Sequence, residues 1–170
     1  MLLKLVQYNF NHAASTYLDN ASLQKSCAQK LLASLKHYHA SGLLLDLGSG
    51  PGTLLHQPGV HTHPTICYDI SLAMLKTGKK HHTGLAVNGE AGTLPFAANS
   101  IQTVISNLML QWPIDKSAIF AEINRVLMPD GHLIFTTLIE PSLWQLQQAW
   151  RELDSVRHTL DFLPATDYQA

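Results

Sequence analysis

The sequence predicts an α/β fold built on an open, mostly parallel sheet. Short apolar runs of strand length alternate along the chain with longer segments of helical periodicity. The run "LLLDL" at 43–47 is apolar almost without interruption, which is typical of a strand covered on both faces. No internal repeat breaks this order. Parallel strands that follow one another require right-handed crossovers, so the helices between them cover the two faces of the sheet.

The segment before the first strand is predicted to be helical over 10–39. A short helix is predicted over 11–20 and a longer one over 21–39, and Ser41 with Gly42 breaks the pattern. Helical spacing places these side chains of the longer helix on one apolar stripe: Leu23, Cys27, Leu31, Leu32 and Leu35.

The rest of the chain alternates strands with helices. The predicted strands are 43–47, 65–69, 85–89, 101–108 and 132–138. The predicted helices are 71–80, 115–127 and 142–156. Ser71 and Asp115 stand where a side-chain oxygen can accept a hydrogen bond from the first free backbone N–H groups, so both are expected to be N-caps. The "PDG" at 129–131 predicts a turn before the fifth strand.

Composition limits the class of protein. A length of 170 residues suits one domain, and 46% apolar against 14% charged residues is enough for a core. A net charge of −1 gives no general attraction to nucleic acid or to an anionic membrane. Cys27 and Cys67 are far apart and form no disulfide or metal pattern. No segment reaches the roughly 20 apolar residues of a membrane span. These observations predict a cytoplasmic protein.

The stretch "LDLGSGPGT" at 45–53 directly follows the first strand. Glycine lets the backbone turn sharply and lets a ligand approach without a Cβ in the way. In a parallel sheet this loop lies at the carboxyl ends of the strands, where ligands bind. A short helix is predicted to begin near Thr53 and to present free N–H groups to an anion. A tight turn without a ligand is the alternative.

Two acids accompany the glycine loop. Asp46 precedes it, and Asp69 ends the second strand, where an acid is placed to accept both hydroxyl groups of a ribose. The spacing is G-x-G-x-G, which differs from the dinucleotide fingerprint G-x-G-x-x-G and resembles the first motif of class I S-adenosylmethionine methyltransferases. An acid at the loop suits a ligand with a positive ammonium and sulfonium better than a pyrophosphate. S-adenosylmethionine is therefore expected to bind, and NAD is not.

Longer stretches narrow this resemblance. "FNHAASTYLDNASLQ" at 10–24, "SNLMLQW" at 106–112 and "RVLMPDG" at 125–131 occur in the order seen in the BioC-type malonyl-acyl carrier protein O-methyltransferases of biotin synthesis. The likeness extends from about Phe10 to Pro164. It implies a Rossmann-like class I methyltransferase three-layer sandwich, the cofactor S-adenosyl-L-methionine, and methylation of the free carboxylate of malonyl-acyl carrier protein.

The resemblance and the motifs together give the expected cofactor-binding residues. These are Asp46, Gly48, Ser49, Gly50, Gly52, Asp69, Ile70, Met74, Glu90, Ala91 and Asn107. Glu90, in "NGEAGTLPF", takes the place of an acid that hydrogen-bonds the adenine amino group in these enzymes and is more often Asp. Ile70 and Met74 would pack on the adenine, although a methionine on a helix stripe is usually only core.

The expected chemistry needs no general base. A carboxylate is already ionised at pH 7, so the protein has to align the reactants and exclude water. The resemblance places Tyr17, Asn107, Gln111 and Trp112 in the wall of the substrate pocket. Tyr17 matches a tyrosine of the amino-terminal helices that cover the cofactor in this family. For Trp112, core packing is an equal alternative.

Other polar clusters are expected to be unrelated to catalysis. "HTH" at 61–63 and "HH" at 81–82 lack a cysteine or acid at ligand spacing, so no metal is expected. The three lysines between 76 and 80 are predicted to be a solvated helix end, with a dock for acidic carrier protein as the alternative. Arg125, in "NRVLMPDG", looks structural, and the cation that would hold the malonyl carboxylate stays unassigned.

The resemblance also fixes an expected domain plan. One methyltransferase domain is expected over 1–170, with a helical cap at 1–40, a cofactor-binding core at 41–158 and a tail at 159–170. The sheet is expected to lack the last strands of the class, which makes the strand at 132–138 an edge. An exposed edge predicts a homo-oligomer, ready aggregation, or cover by 159–170.

Three functional hypotheses stay open. The chain methylates malonyl-acyl carrier protein, it methylates another small acceptor, or it is a truncated cofactor-binding domain with little or no activity.

Overall fold

A computed structural model describes residues 2–35, 42–57, 63–80, 84–112, 115–156 and 158–168. The described helices are α1 (Leu2–Ala13), α2 (Tyr17–Asn20), α3 (Ser22–Leu35), α4 (Leu72–Gly78), α5 (Lys116–Val126) and α6 (Trp144–Leu153), with a 3-10 helix over Ala165–Tyr168. The described strands are β1 (Leu44–Leu47), β2 (Thr65–Asp69), β3 (Leu85–Asn88), β4 (Ile101–Asn107) and β5 (Leu127–Thr136). The chain divides into two compact units, Met1–Thr136 and Thr137–Ala170. In the described part of the chain, no helix is long and apolar enough to span a bilayer.

The described strands form one parallel sheet in the order β3-β2-β1-β4-β5. The chain runs outward from β1 to β3 and then returns to the other side of β1 with β4. This reversal opens a crevice at the carboxyl ends of β1 and β4, the usual ligand site of such sheets. The predicted parallel α/β sheet is confirmed.

Alternation along the strands divides the core into two layers, because successive side chains point to opposite faces. The layer between the sheet and helices α3 and α4 consists of Ala28, Leu31, Leu32, Leu35, Leu44, Leu54, Leu55, Cys67, Leu75 and Ile105. The layer that contains α5 includes Leu45, Leu47, Ile66, Tyr68, Val104, Ile119, Ile123 and Val126. Asp46 is in phase with Leu44, so its side chain is directed towards the layer of α3 and α4.

The local capping signals predicted the helix starts well. The Ser71 hydroxyl accepts a hydrogen bond from the Met74 amide at 3.2 Å, and Asp115 accepts one from the Ala118 amide at 3.0 Å. The observed β2 has the predicted bounds, and the ends of α5 differ from prediction by one residue each. Helix α6 is shorter than predicted.

Three predictions about the helices were wrong. The first helix begins at Leu2, so the chain before residue 10 is helical too, and residues 14–16 form a turn before α2. Leu31, Leu32 and Leu35 of the predicted apolar stripe are buried as predicted, but Leu23 is 49% exposed, and the buried side of α3 includes Ala28. The expected helix near Thr53 is absent, because residues 51–56 form only turns. The predicted end of the second helix at 39 lies outside the described residues.

Strand β5 starts directly after α5, so the turn predicted at 129–131 lies within the strand. The pairing of β5 with β4 is irregular there. Asp130 has a φ of 62°, and a Cβ on Gly131 would lie 2.8 Å from the Met128 carbonyl oxygen. Glycine is therefore required at 131 for the backbone to pass so closely. Strand β5 is an edge of the described sheet. Association through that edge stays a prediction.

The second unit contains α6 and the 3-10 helix. Its backbone is tied across the unit by a hydrogen bond from the Glu140 amide to the Leu163 carbonyl at 3.0 Å. The Trp150 ring stacks on His158 with centroids 4.0 Å apart. The His158 ring also hydrogen-bonds Asp154, and this bond lowers the pKa of that carboxyl group.

Candidate cofactor and substrate site

A cavity of about 450 Å³ lies at the carboxyl ends of strands β1 to β4. One side, which we call the strand-end wall, consists of Leu47, Gly48, Gly50, Asp69, Ile70, Glu90 and Asn107. The opposite side, which we call the cover, consists of Leu3, Val6, Phe10, Tyr17, Met109 and Trp112. The strand-end wall is mostly backbone and polar groups, whereas the cover is mostly apolar and aromatic.

The glycine loop has the conformation that its sequence requires. Gly48, Gly50 and Gly52 have φ values of 75°, 55° and 78°, in the left-handed region that favours glycine. A Cβ on Gly48 would collide with the Met109 side chain, whereas a Cβ on Gly50 would meet no atom within 4 Å. Gly50 therefore borders open space in the cavity. A larger side chain at position 50 would occupy that space.

The amide groups of the loop are used to hold the loop against β2. The Gly48 and Ser49 amides donate to the Tyr68 carbonyl oxygen at 2.8 and 3.1 Å, and the Gly52 amide donates to the Ser49 carbonyl at 2.9 Å. The predicted helix near Thr53 is absent, so no helix N-terminus is present there to face an anion. The Gly48, Ser49 and Gly52 amides are satisfied within the protein, so these three donors are not free for an anion.

Asp69 joins the loop to the start of α4. One carboxylate oxygen accepts from the Gly50 amide at 2.8 Å, and the other accepts from the Ser71 amide at 2.7 Å. Burial raises the pKa of Asp69, while the hydrogen bonds from Ser71 and Gly50 act in the opposite direction. Each oxygen retains a further lone pair for a ligand hydroxyl group. The predicted ribose contact fits this geometry and stays a prediction.

Asp46 lies behind the strand-end wall and does not line the cavity. Its side chain is completely buried, and neither carboxylate oxygen has a hydrogen-bond partner among the described residues. Burial raises its pKa well above the ordinary value, and the charge of Asp69 raises it further. Burial also raises the pKa of the adjacent Cys67 thiol to about 12, with Asp46 as the next largest cause. A neutral, protonated Asp46 is the state that this environment favours.

The cavity gathers most of the residues that the sequence predicted for the site. The predicted residues that line it are Tyr17, Gly48, Gly50, Asp69, Ile70, Met74, Glu90, Ala91, Asn107 and Trp112. Four predicted residues do not line it in the described structure: Asp46, Ser49, Gly52 and Gln111. Their roles stay predictions.

Asn107 lines the cavity while its side chain makes structural hydrogen bonds. Its Nδ2 donates to the Gln24 carbonyl oxygen at 3.0 Å, and its Oδ1 accepts from the Thr136 hydroxyl at 2.7 Å. These bonds join the end of β4 to α3 and β5. They leave one Nδ2 hydrogen for a ligand, so the amide oxygen is the less available group.

The cover was only partly visible in the sequence. Phe10 packs edge-on against Trp112 with ring centroids 5.4 Å apart, and it lies 6.2 Å from the Tyr17 ring. Leu3 and Val6 of α1 also line the cavity and were not predicted. Leu3, Val6 and Phe10 are separated by three and four residues, which is the spacing of side chains on one face of a helix. This spacing is the sequence signal that could have identified the cavity face of α1.

Tyr17, in the cover, is influenced by the charge of Asp69 in the strand-end wall. Burial raises the pKa of its phenol, the charge of Asp69 raises it further, and a hydrogen bond with the Gln24 side chain acts in the opposite direction. The phenol therefore keeps its proton at neutral pH and can act as a hydrogen-bond donor.

The polar side chains that line the cavity are acidic or neutral. Asp69, Glu90 and Asp115 line it, and no lysine, arginine or histidine stands among the described lining residues. A cavity with this lining favours a ligand that carries positive charge. No group of three potential metal ligands is present in the described ranges. The "HH" motif and the first two residues of "HTH" lie outside those ranges.

Arg125 is occupied by structural hydrogen bonds. It makes a two-point contact with Glu122, at 2.6 and 2.8 Å, and donates to the carbonyl oxygens of Phe96 and Leu94. The Glu122 carboxylate in turn accepts from the Leu94 amide. The arginine lowers the pKa of Glu122 to about 2. The structural interpretation of Arg125 is confirmed.

Known proteins similar to this chain are methyltransferases. The methyltransferase domain family matches residues 45–135. The chain is 36% identical over 165 residues to the malonyl-[acyl-carrier protein] O-methyltransferase of Hahella chejuensis, across 94% of this chain and 59% of that relative. It is 33% identical over 168 residues to the biotin biosynthesis bifunctional protein BioHC of Cellvibrio japonicus, across 98% of this chain and 34% of that relative. The chain thus spans only part of these curated relatives.

Solved structures share the fold. A chain from the complex of the Haloferax volcanii Trm112 methyltransferase activator with a methyltransferase matches with a TM-score of 0.75 at 20% identity, over 94% of this chain and 72% of that one. A phosphoethanolamine N-methyltransferase of Haemonchus contortus, solved with phosphomonomethylethanolamine and S-adenosylhomocysteine, matches with a TM-score of 0.63 at 20% identity, over 83% of this chain and 35% of that one.

Proposed function

This chain belongs to the methyltransferase domain family, and we propose that it is a cytoplasmic enzyme that methylates the free carboxylate of malonyl-acyl carrier protein with S-adenosylmethionine. The observation that carries the proposal is the cavity of about 450 Å³ bounded by the glycine loop and Asp69. The similarity to relatives named for methylation of malonyl-acyl carrier protein and for biotin biosynthesis supports the choice of acceptor.

The residues of the strand-end wall fit S-adenosylmethionine, which supplies a methyl group activated by its sulfonium. Asp69 would hold the ribose hydroxyl groups, and Glu90 would hold the adenine amino group. Ile70 and the buried Met74 offer apolar contacts for the adenine ring. The open space at Gly50 leaves room for close approach of the cofactor to the backbone.

The charge of the cavity supports the same cofactor. S-adenosylmethionine carries an ammonium and a sulfonium, and the lining carries Asp69, Glu90 and Asp115. Opposite charges attract strongly in a partly enclosed site. A dinucleotide pyrophosphate would be repelled by the same three groups.

The work left to the protein is alignment and exclusion of water. A malonyl carboxylate is already ionised at neutral pH, so no general base is required. The aromatic contact between Phe10 and Trp112 closes the apolar side of the cavity. An apolar cover lowers the local dielectric, which favours a reaction in which opposite charges are neutralised.

The acidic lining favours a second candidate, transfer to another small acceptor that is neutral or cationic. No lysine, arginine or histidine among the described lining residues is available to pair with a carboxylate acceptor. The acceptor therefore has to be tested directly rather than assigned from the cofactor site.

The test is transfer of a radiolabelled methyl group from S-adenosylmethionine by the purified chain. Malonyl-acyl carrier protein, the same carrier protein without its malonyl group, and a panel of small amines serve as acceptors. We expect label only on malonyl-acyl carrier protein, released as methanol by mild base, because a methyl ester is base-labile and an N-methyl group is not.

Each other outcome decides between the candidates. Base-stable label on an amine would overturn the proposed acceptor and favour the second candidate. Binding of S-adenosylmethionine without transfer to any acceptor would indicate a cofactor-binding domain. Absence of binding would overturn the methyltransferase proposal itself.

A further inference from the structure

Two side chains of α1 attach the cover to the segment that follows β2. Gln7 donates from Nε2 to the Ile70 carbonyl oxygen at 2.8 Å. Asn11 accepts at Oδ1 from the Ser71 hydroxyl at 2.7 Å and from the Ala73 amide at 3.4 Å. Gln7 and Asn11 are four residues apart and therefore lie on the same side of the helix. Tyr8, between them in sequence, is 58% exposed.

The attached segment is the one that holds Asp69. Ser71 gives its amide to one Asp69 oxygen, and the Gly50 amide binds the other. The Ser71 hydroxyl accepts from the Met74 amide and donates to Asn11. One chain of hydrogen bonds thus runs from the glycine loop through Asp69 and Ser71 to α1.

The same helix carries part of the cover. Leu3, Val6 and Phe10 of α1 line the cavity, and Gln7 and Asn11 are the next residues after Val6 and Phe10. A shift of either hydrogen-bonded side chain would therefore move an adjacent cavity-lining side chain. The α1 part of the cover is positioned relative to Asp69 by side-chain hydrogen bonds, not by the pairing of strands.

We propose that Gln7 and Asn11 are positioning residues that hold α1 closed over the bound cofactor and slow its release. The inference rests on the proposed function, because it assigns the cavity to S-adenosylmethionine. Loss of either bond lets α1 separate from the segment after β2, which opens the cavity to water.

The chemistry of Asn11 provides a matched pair of variants. Both of its contacts use Oδ1 as an acceptor. Aspartate keeps that acceptor, and the first amides of α4 that face it tolerate a negative charge. Leucine is similar in size and has no acceptor. Asn11→Asp should therefore preserve the attachment, and Asn11→Leu should remove it.

The experiment measures release of S-adenosylhomocysteine, the demethylated product, from the full chain by stopped-flow fluorescence. We expect Asn11→Leu and Gln7→Leu each to raise the dissociation rate about tenfold, and Asn11→Asp to keep it within about twofold. His12→Ala is the matched control, because the exposed His12 ring contacts only the carbonyl oxygen and the ring of Tyr8, in its own helix, among the contacts described for it. Melting temperatures of the ligand-free variants separate positioning from a general loss of stability.

The outcomes separate this inference from the proposed function. Wild-type release from both leucine variants, or release from Asn11→Asp as fast as from Asn11→Leu, would overturn the positioning role while the cofactor assignment stands. If Asn11→Leu does not fold, Gln7→Leu decides alone. A wild-type chain that binds neither S-adenosylmethionine nor S-adenosylhomocysteine would overturn both proposals.

Discussion

The strand-end wall and the cover enclose the same cavity but are held in place by different forces. In the strand-end wall, strand pairing fixes the backbone, and the Gly50 and Ser71 amides fix Asp69. In the cover, α1 is attached through Gln7, Asn11 and the edge-on packing of Phe10 against Trp112. Backbone pairing leaves few alternative positions, whereas side-chain contacts can break singly. Changes in the wall should therefore abolish binding, and changes in the cover should alter rates.

The largest expected effect is that of Gly50→Val in the strand-end wall. A β-branched side chain at a φ of 55° is strained and would fill the open space beside Gly50, so binding of S-adenosylmethionine should be lost in calorimetry. Gly42→Ala is the control, because Gly42 also has positive φ, at 116°, but lies away from the cavity. That variant should lose stability and keep binding. Measurable binding by Gly50→Val would contradict the assignment of this space to the cofactor.

Asp69→Ala should weaken cofactor binding next most strongly. It removes the acceptor of the Gly50 and Ser71 amides and the expected ribose contact, at about 1.5–3 kcal/mol for each charge-assisted bond to the ligand. Calorimetry with S-adenosylhomocysteine measures the loss. Glu152→Ala, which changes an exposed acid of α6, is the control and should bind normally. Equal affinity in Asp69→Ala and wild type would remove Asp69 from the site.

Tyr17→Phe tests the cover and should have a smaller effect. The protonated phenol is placed near Asp69 and Gln24, so its removal should lower turnover by about tenfold and change cofactor affinity less. Steady-state kinetics together with direct binding separate the two effects. Equal loss of both would make Tyr17 part of the cofactor lid, and no loss would make it a packing residue.

The smallest expected effect concerns Asp46, directly behind the strand-end wall. Its pKa is raised in the folded state, so the folded chain binds this proton more tightly than the unfolded chain. That stabilisation is complete below about pH 4, the unfolded pKa, and is lost as the pH rises towards the folded pKa. Asp46→Asn cannot titrate, so its melting temperature should fall less than that of the wild type as the pH rises. Between about pH 5 and pH 8 the two falls should differ by about 3 °C.

A control identifies the source of this pH dependence. Asp167→Asn changes an exposed acid of the 3-10 helix and should follow the wild-type melting profile. Parallel profiles for Asp46→Asn and the wild type would show that Asp69 or another group dominates the pH dependence.

The strand-end wall could be predicted from the sequence because its determinants are local. Gly48, Gly50 and Gly52 follow an apolar strand, and Asp69 ends the next one, so strand order alone brings them to one edge. The N-caps Ser71 and Asp115 could also be predicted from the sequence, because each accepts a hydrogen bond from the amide three residues later. The same local reasoning failed at Thr53, where residues 51–56 form turns in place of the predicted helix.

Tertiary structure alone decided how α1 of the cover is attached and which state Asp46 adopts. The contact of Asn11 with Ser71 spans 60 residues, and that of Gln7 with Ile70 spans 63 residues, so no local pattern contains them. The sequence predicted Asp46 as a cofactor-binding residue. In the structure its side chain is directed towards the layer of α3 and α4 and does not line the cavity, and its role in binding stays a prediction. Local patterning determined which residues turn the chain and end the strands. Packing determined which of those residues face the cavity, because a side chain's direction depends on what covers each face of the sheet.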